Sequence, residues 1–325
     1  MFTQEGEMIV PGVLSRNVEL KSGHLARYAT AGENGPSVVL LHGGIIGSSG
    51  LAGWRLMIPF LAEQGFRVYA PDRPGFGLAD VRDGRRLTNG IHDQVRFIHE
   101  FVEAVGLEDQ FCITGNSMGA TMAAAYAVNY PHRIKNMVLI ASASMYQRLG
   151  TPEGTPRPNK ARQGSGLGPF DGTNAWMRKT MEGIIYAPEN IPEDLVTMRT
   201  QMGIRDQVAF AEMNAGYNAE ITDMNRFQEV NFKGRLDKLT IPTIFVWGKD
   251  DVLAPVELGY EMEKELPNIK FYYPGYCGHQ AQTDRPDLLN NMTLEWFRDA
   301  RLKPETLAKL DQREPANAEA AAPVM

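Results

Sequence analysis

The 325-residue chain predicts an α/β protein built on a mostly parallel, doubly wound sheet with a helical insertion. Three observations predict it. Short apolar runs closed by glycine or proline recur along the chain, as in Ser37–Leu41 and 241–248. Helical patterns separate those runs, so neighbouring strands pair in parallel through crossovers. A methionine-rich stretch without strand patterns then interrupts the series.

Taken in order, residues 17–30 alternate weakly and read as an opening hairpin. Ser37–Leu41 reads as a fully buried strand, because it is short, apolar and followed by glycines. A helix follows around Trp54–Gln64, then a strand over 66–72. Ile91, Val95, Ile98, Val102 and Val105 fall at helical spacing and stop at Gly106, which predicts an amphipathic helix over 90–106. Residues 111–115 read as a strand, the alanine-rich run after them as a helix, and 135–143 as a further strand. Glycine and proline crowd 147–174, which predicts a long loop of the kind compact domains keep for function. Several helices are expected over 175–233, and strands return at 241–248 and 270–275. The expected organisation is a first core part over 1–144, a helical cap over 145–235, a second core part over 236–303, and a disordered tail over 304–325.

Composition narrows the function. A net charge of −6 provides no concentrated basic face, so nucleic acid is not an expected partner. Two cysteines, Cys112 and Cys277, do not make a disulfide framework and are expected to be reduced thiols. No basic region followed by an apolar run opens the chain, and no stretch of about 18 apolar residues could cross a bilayer. A cytoplasmic protein is expected, with a small molecule and not a membrane as its partner.

The sharpest chemical signal is Gly115-Asn116-Ser117-Met118-Gly119, lying between an apolar strand and a helix. A sharp strand-to-helix turn would expose Ser117, and only small flanking residues leave room for such a turn. A serine hydroxyl needs a base, and the base needs an orienting carboxylate. Of the six histidines, His279 stands in a glycine-flanked loop after a strand, where the last member of the order Ser, Asp, His falls. His24, His92, His99 and His132 read as solvated residues, and His42 as a residue that shapes a loop. After the strand at 241–248 stand Asp250 and Asp251; spacing favours Asp251 as the acid, with Asp250 left open. The glycine turn after Leu41 would bring backbone N–H groups to a substrate oxygen, so the oxyanion hole is assigned to the N–H groups of Gly44 and Met118, with Gly43 against the substrate.

Together, HGG at 42–44, DRPGFG at 72–77, GNSMG at 115–119 and the pair GKDD and GH resemble the α/β-hydrolase superfamily over 17–302. Within it, the asparagine before the serine, the 28-residue separation of Asp251 and His279 (279 − 251) and the run CGHQAQ are similar to the meta-cleavage product hydrolases. That resemblance implies an α/β-hydrolase fold with an inserted helical cap, and hydrolysis of a C–C bond in a 2-hydroxy-6-oxo-dienoate from aromatic ring cleavage. It also implies that Arg199, in a segment similar to the family's cap helix, binds the substrate carboxylate, with Asn116 and Gln280 at the pocket. The chain departs from the family pattern at Gln280, where an aromatic residue usually follows the histidine. It departs also at GWRL (53–56) and in the glycine loop HGGIIG, which implies a reshaped pocket.

Two rival functions follow from the same residues. A carboxylesterase or lactonase would use the same triad without the carboxylate grip, and a hydrolase-fold binding protein could retain the triad without turnover. The sequence carries no dinucleotide fingerprint and no metal-ligand cluster, so no cofactor is expected. The resemblance suggests a homodimer or larger assembly.

Overall fold

The computed structural model describes residues 1–82, 90–158, 160 and 168–312. Its centre is an eight-stranded sheet. The strands are β1 (Leu14–Glu19), β2 (Leu25–Ala31), β3 (Ser37–Leu41), β4 (Arg67–Pro71), β5 (Phe111–Asn116), β6 (Ile134–Ile140), β7 (Thr243–Val246) and β8 (Ile269–Tyr272). They lie in the order β1-β2-β4-β3-β5-β6-β7-β8. β1 pairs antiparallel with β2, and β2 with β4, while every pair from β4 to β8 is parallel. The buried patterns of β3, β5 and β7 suit strands covered on both faces, and they explain why these segments read as continuous apolar runs.

The helices of the core are α1 (Gly50–Trp54), α2 (Met57–Glu63), α3 (Gly90–Ala104) and α4 (Met118–Asn129), then α9 to α12 further on. Between β6 and β7 stand α5 (Ala143–Leu149), α6 (Asn174–Glu182), α7 (Glu193–Thr222) and α8 (Met224–Val230). After β7 come α9 (Glu257–Glu265), α10 (Ala281–Asp284), α11 (Pro286–Asp299) and α12 (Pro304–Leu307). α4 is buried from Met118 through Ala127, which is the behaviour of a helix that is apolar on every side. Its alanines let it press onto the strands beneath.

The structure departs from the sequence expectation at several points. The helix expected around Trp54–Gln64 is two short helices. Part of the loop expected over 147–174 is helical, since α5 runs to Leu149, whereas residue 159 and residues 161–167 lie outside the described residues. Residues 304–312 are not a loose tail. α12 forms there, and the carbonyls of Lys309 and Leu310 accept from the buried guanidinium of Arg285, so the segment is folded back onto the core. Residues 313–325 lie outside the described residues. His24 is buried, edge-on to Phe97 at 5.5 Å, and not solvated, because the hairpin that carries it packs against α3. His99 is half-buried and stacks on Tyr130 at 4.2 Å. Among the described residues no helix is long and apolar enough to cross a membrane.

Candidate active site

Because β3, β5, β7 and β8 run in the same direction, the segments leaving them collect along one edge of the sheet, where ligands bind in open parallel sheets. Ser117 leaves β5 with φ 57° and ψ −122°, a backbone conformation costly for any residue with a side chain. The surroundings hold it there. Its N–H donates to Ile140 O at 2.8 Å, and its carbonyl accepts from Ser142 Oγ at 2.8 Å. The flanking glycines are required by contact: a Cβ at Gly115 would lie 2.3 Å from Gly119 C, and one at Gly119 would lie 2.0 Å from Leu41 O. The elbow is therefore wedged under the end of β3, with Ser117 as N-cap of α4.

His279 is buried, and its Nδ1 lies 2.7 Å from Asp251 Oδ2. The other Asp251 oxygen accepts the N–H groups of Leu253 at 2.9 Å and Ala254 at 2.8 Å, which fixes the carboxylate in place. This arrangement makes Nδ1 the protonated nitrogen and leaves Nε2 as the basic one. Among the described residues Nε2, buried, has no hydrogen-bond partner. Asp250 is exposed, and its carboxylate accepts the N–H of Cys277 at 3.3 Å. Of the two aspartates left open by the sequence, Asp251 is thus the one on the imidazole. Gly248 explains the glycine of GKDD, since a Cβ there would lie 2.3 Å from Cys277 O in the His279 loop.

Asn116, expected at the pocket, is fully buried, and its amide donates to His279 O at 2.9 Å and to Ile140 O at 3.4 Å. It ties the elbow to the histidine loop, and nothing local in the sequence marks a contact across 163 residues. Gln280 is half-buried at the N-cap of α10, and its N–H reaches Ile184 O at 3.3 Å. Gly43 lies against the elbow, with a Cβ there 3.6 Å from Ser117 Cβ. Gly44 lies on Met118, where a Cβ would be 2.9 Å from Met118 Cβ. Among the described residues neither the Gly44 nor the Met118 N–H donates to a protein acceptor, so two adjacent donors stand beside Ser117. Arg199 is buried and donates to Ser48 Oγ at 3.3 Å, four residues beyond Gly44 in the same loop.

The glycine loop rests on a buried web that sequence reading missed. Arg73 N–H donates to His42 Nε2 at 3.0 Å, so the proton of this ring sits on Nδ1, 2.8 Å from Gly43 O. The Arg73 guanidinium donates to His42 O at 2.8 Å, Gly43 O at 2.9 Å and Gln94 Oε1 at 3.2 Å, and lies over the Phe76 ring. Burial first, then the charge of Arg73, holds the His42 imidazole well below its usual range, so it is a neutral strut and not a base.

A pH effect follows. Unfolded, His42 takes up a proton as pH falls through about 6.5, whereas the folded imidazole does not. Its contribution to stability is complete above that value and is lost as pH falls towards the depressed folded value. Urea midpoints of wild type and His42→Gln, measured between pH 7.5 and 5.5, are expected to converge as pH falls, with a slope approaching about 1.4 kcal/mol per pH unit. Parallel curves would remove His42 from this account.

A second web joins the histidine loop to the insertion. Asp284 accepts the N–H of Gly278 at 2.8 Å and of Tyr186 at 2.8 Å, while His279 N–H donates to Ile184 O at 2.9 Å. Desolvation raises the Asp284 carboxyl to about 7, against the opposing pull of these N–H donors. Cys112 and Cys277 are buried and not joined in a disulfide, and burial pushes the Cys112 thiol up to about 12, which makes it a packing residue rather than a nucleophile. Among the described residues no three His, Cys, Asp or Glu side chains converge to hold a metal ion.

Comparison with known proteins agrees with this architecture. Residues 36–182 match the family model described as alpha/beta hydrolase fold. A 2-hydroxy-6-oxononadienedioate/2-hydroxy-6-oxononatrienedioate hydrolase of Paraburkholderia phymatum is 28% identical, over 88% of this chain and 93% of that relative. A 2-hydroxy-6-oxo-6-phenylhexa-2,4-dienoate hydrolase of Comamonas testosteroni is 26% identical, over 85% and 92%. Among solved structures, the 2-hydroxy-6-oxo-6-phenylhexa-2,4-dienoate hydrolase of Rhodococcus sp. strain RHA1 superposes with a TM-score of 0.72 at 26% identity, covering 88% of this chain and 99% of that one. A meta-cleavage product hydrolase from Pseudomonas fluorescens IP01 gives 0.69 at 25% identity, over 88% and 98%. The chain is an enzyme of the α/β-hydrolase fold. Among such enzymes it is similar to the meta-cleavage product hydrolases.

Proposed function

We propose that this chain is a serine hydrolase that cleaves a C–C bond in a 2-hydroxy-6-oxo-dienoate, with Ser117 as nucleophile, His279 as base and Asp251 as the orienting acid. The observation that carries the reading is the buried His279–Asp251 bond of 2.7 Å, in a loop that the Asn116 amide ties to the elbow where Ser117 is held at positive φ. Asp251 keeps the imidazole proton on Nδ1, so Nε2 can take the Ser117 proton and later return it. Gly44 and Met118 N–H groups would receive the charge that develops on the substrate ketone oxygen. The N-terminus of α4 adds its positive dipole end to the same point. Arg199 would hold the substrate carboxylate away from Ser117, with Gly43 and Gln280 lining the path between them.

Resemblance supplies the substrate class, since the curated relatives are hydrolases of 2-hydroxy-6-oxo-dienoates. The helices between β6 and β7 serve as a cap over residues 145–235 in this reading. Two buried cysteines that are not joined in a disulfide suit a reducing cytoplasm. A substrate panel tests the proposal. Dienoates of ring cleavage are expected to bleach with kcat/KM well above the rates for p-nitrophenyl esters and lactones. Fast ester turnover with inert dienoates would replace C–C hydrolysis by esterase or lactonase activity on the same residues.

A further inference from the structure

Two arginines beside the glycine loop bury their guanidinium groups without a carboxylate partner among the described residues. Arg55 follows α1 and is 6% exposed; Arg199 lies in α7 and is 3% exposed. Their polar contacts are sparse. Arg55 donates to Ala52 O at 3.5 Å, Arg199 to Ser48 Oγ at 3.3 Å, and the buried Arg199 Nε meets no acceptor among the described residues. Other buried arginines are better supplied. Arg27 pairs with Glu7, Arg148 with Glu220, and Arg285 donates to the carbonyls of Gly275, Lys309 and Leu310. A guanidinium has five donors in a planar fork, and leaving them unmatched away from water is expensive.

The two arginines belong to one place. Burial holds both down to about 10, and the charge of Arg55 adds to the depression of Arg199, so each lies within electrostatic reach of the other. A Cβ at Gly47 would lie 2.1 Å from Arg199 O, and one at Gly53 would lie 3.2 Å from His42 Cβ. The loop therefore has Gly43 against Ser117 at one end and Ser48 on Arg199 at the other. Its five steps span at most about 18 Å when fully extended, within reach of a small extended substrate. Arg55 stands in GWRL, one of the places where this chain departs from the related hydrolases.

We propose that Arg55 joins Arg199 in a paired-guanidinium subsite for an acid that carries two negative oxygens on adjacent carbons. This deepens the hydrolase reading above and rests on it for the substrate. One guanidinium grips one carboxylate with two parallel bonds, and the second is free to meet a further anionic oxygen. For a 2-hydroxy-dienoate the pair favours the enolate. The hydroxyl O–H bond breaks, its electron pair stays on oxygen, and the proton passes to solvent. The head then presents a carboxylate beside an enolate oxygen.

Titration calorimetry of the whole chain with oxalate, pyruvate and acetate at pH 7.5 tests the subsite with ligands the enzyme does not cleave. Wild type is expected to bind oxalate at least about tenfold more tightly than acetate, with pyruvate between them. Arg55→Met is expected to lose that preference, and Arg55→Lys, which keeps the charge, to retain most of it. Equal affinities for oxalate and acetate in wild type, or no oxalate binding at millimolar concentration, overturn the proposal. So does an unchanged oxalate preference in Arg55→Met. Dienoate turnover without an oxalate preference would remove the subsite and leave the hydrolase reading standing. An oxalate preference that depends on Arg55, in a protein inert to dienoates, would do the reverse.

Discussion

Replacing Ser117 with alanine is expected to lower dienoate turnover by at least about 10⁴-fold while the substrate still binds. The argument is chemical first. Without Oγ no acyl-enzyme forms, yet every group that holds the substrate remains, so the yellow absorbance should persist in a stoichiometric complex. A backbone argument adds a second readout. Ser117 sits at φ 57°, where glycine alone is at ease, so Ser117→Gly should be inactive and also more stable than wild type by about 1–3 kcal/mol. Thermal or urea unfolding of the two variants separates the effects. Residual turnover near the wild-type rate in either would remove Ser117 as nucleophile.

The second large effect is expected at Asp251. Asparagine there nearly preserves shape but can donate a proton to Nδ1, which favours the wrong imidazole tautomer, and a loss in kcat of about 10⁴-fold is expected. Asp250→Asn is the control, because that side chain is exposed and among the described residues accepts only the Cys277 N–H. Its kcat should stay close to wild type. Equal losses in the two variants would mean that the whole loop after β7 matters and not one carboxylate.

The two aspartates also show how far sequence reading reaches. The strands, the elbow and the order Ser, Asp, His were legible because each is a local pattern: an apolar run, a glycine turn, a residue just past a strand end. Spacing favoured Asp251, but only the fold shows which carboxylate meets the imidazole. Contacts between distant segments left no local trace. The Asn116 amide on His279 O, Arg73 under the glycine loop and Asp284 between Gly278 and Tyr186 each join segments whose own periodicities say nothing of one another. The same holds for residues 304–312, expected as part of a disordered tail, whose Lys309 and Leu310 carbonyls accept from Arg285. Burial of Arg55 was equally hidden, since a basic residue at a helix end ordinarily reads as surface.

The tie between the histidine loop and residues 184–187 has a mechanical consequence. Ile184 O holds the N–H groups of His279 and Gln280, and Asp284 holds those of Tyr186 and Ala187. A helical layer that swung open about any axis far from this seam would drag the imidazole off its carboxylate with every excursion. Any displacement of residues 184–187 would therefore pull on the N–H groups of both His279 and Gln280, because the one carbonyl of Ile184 holds them.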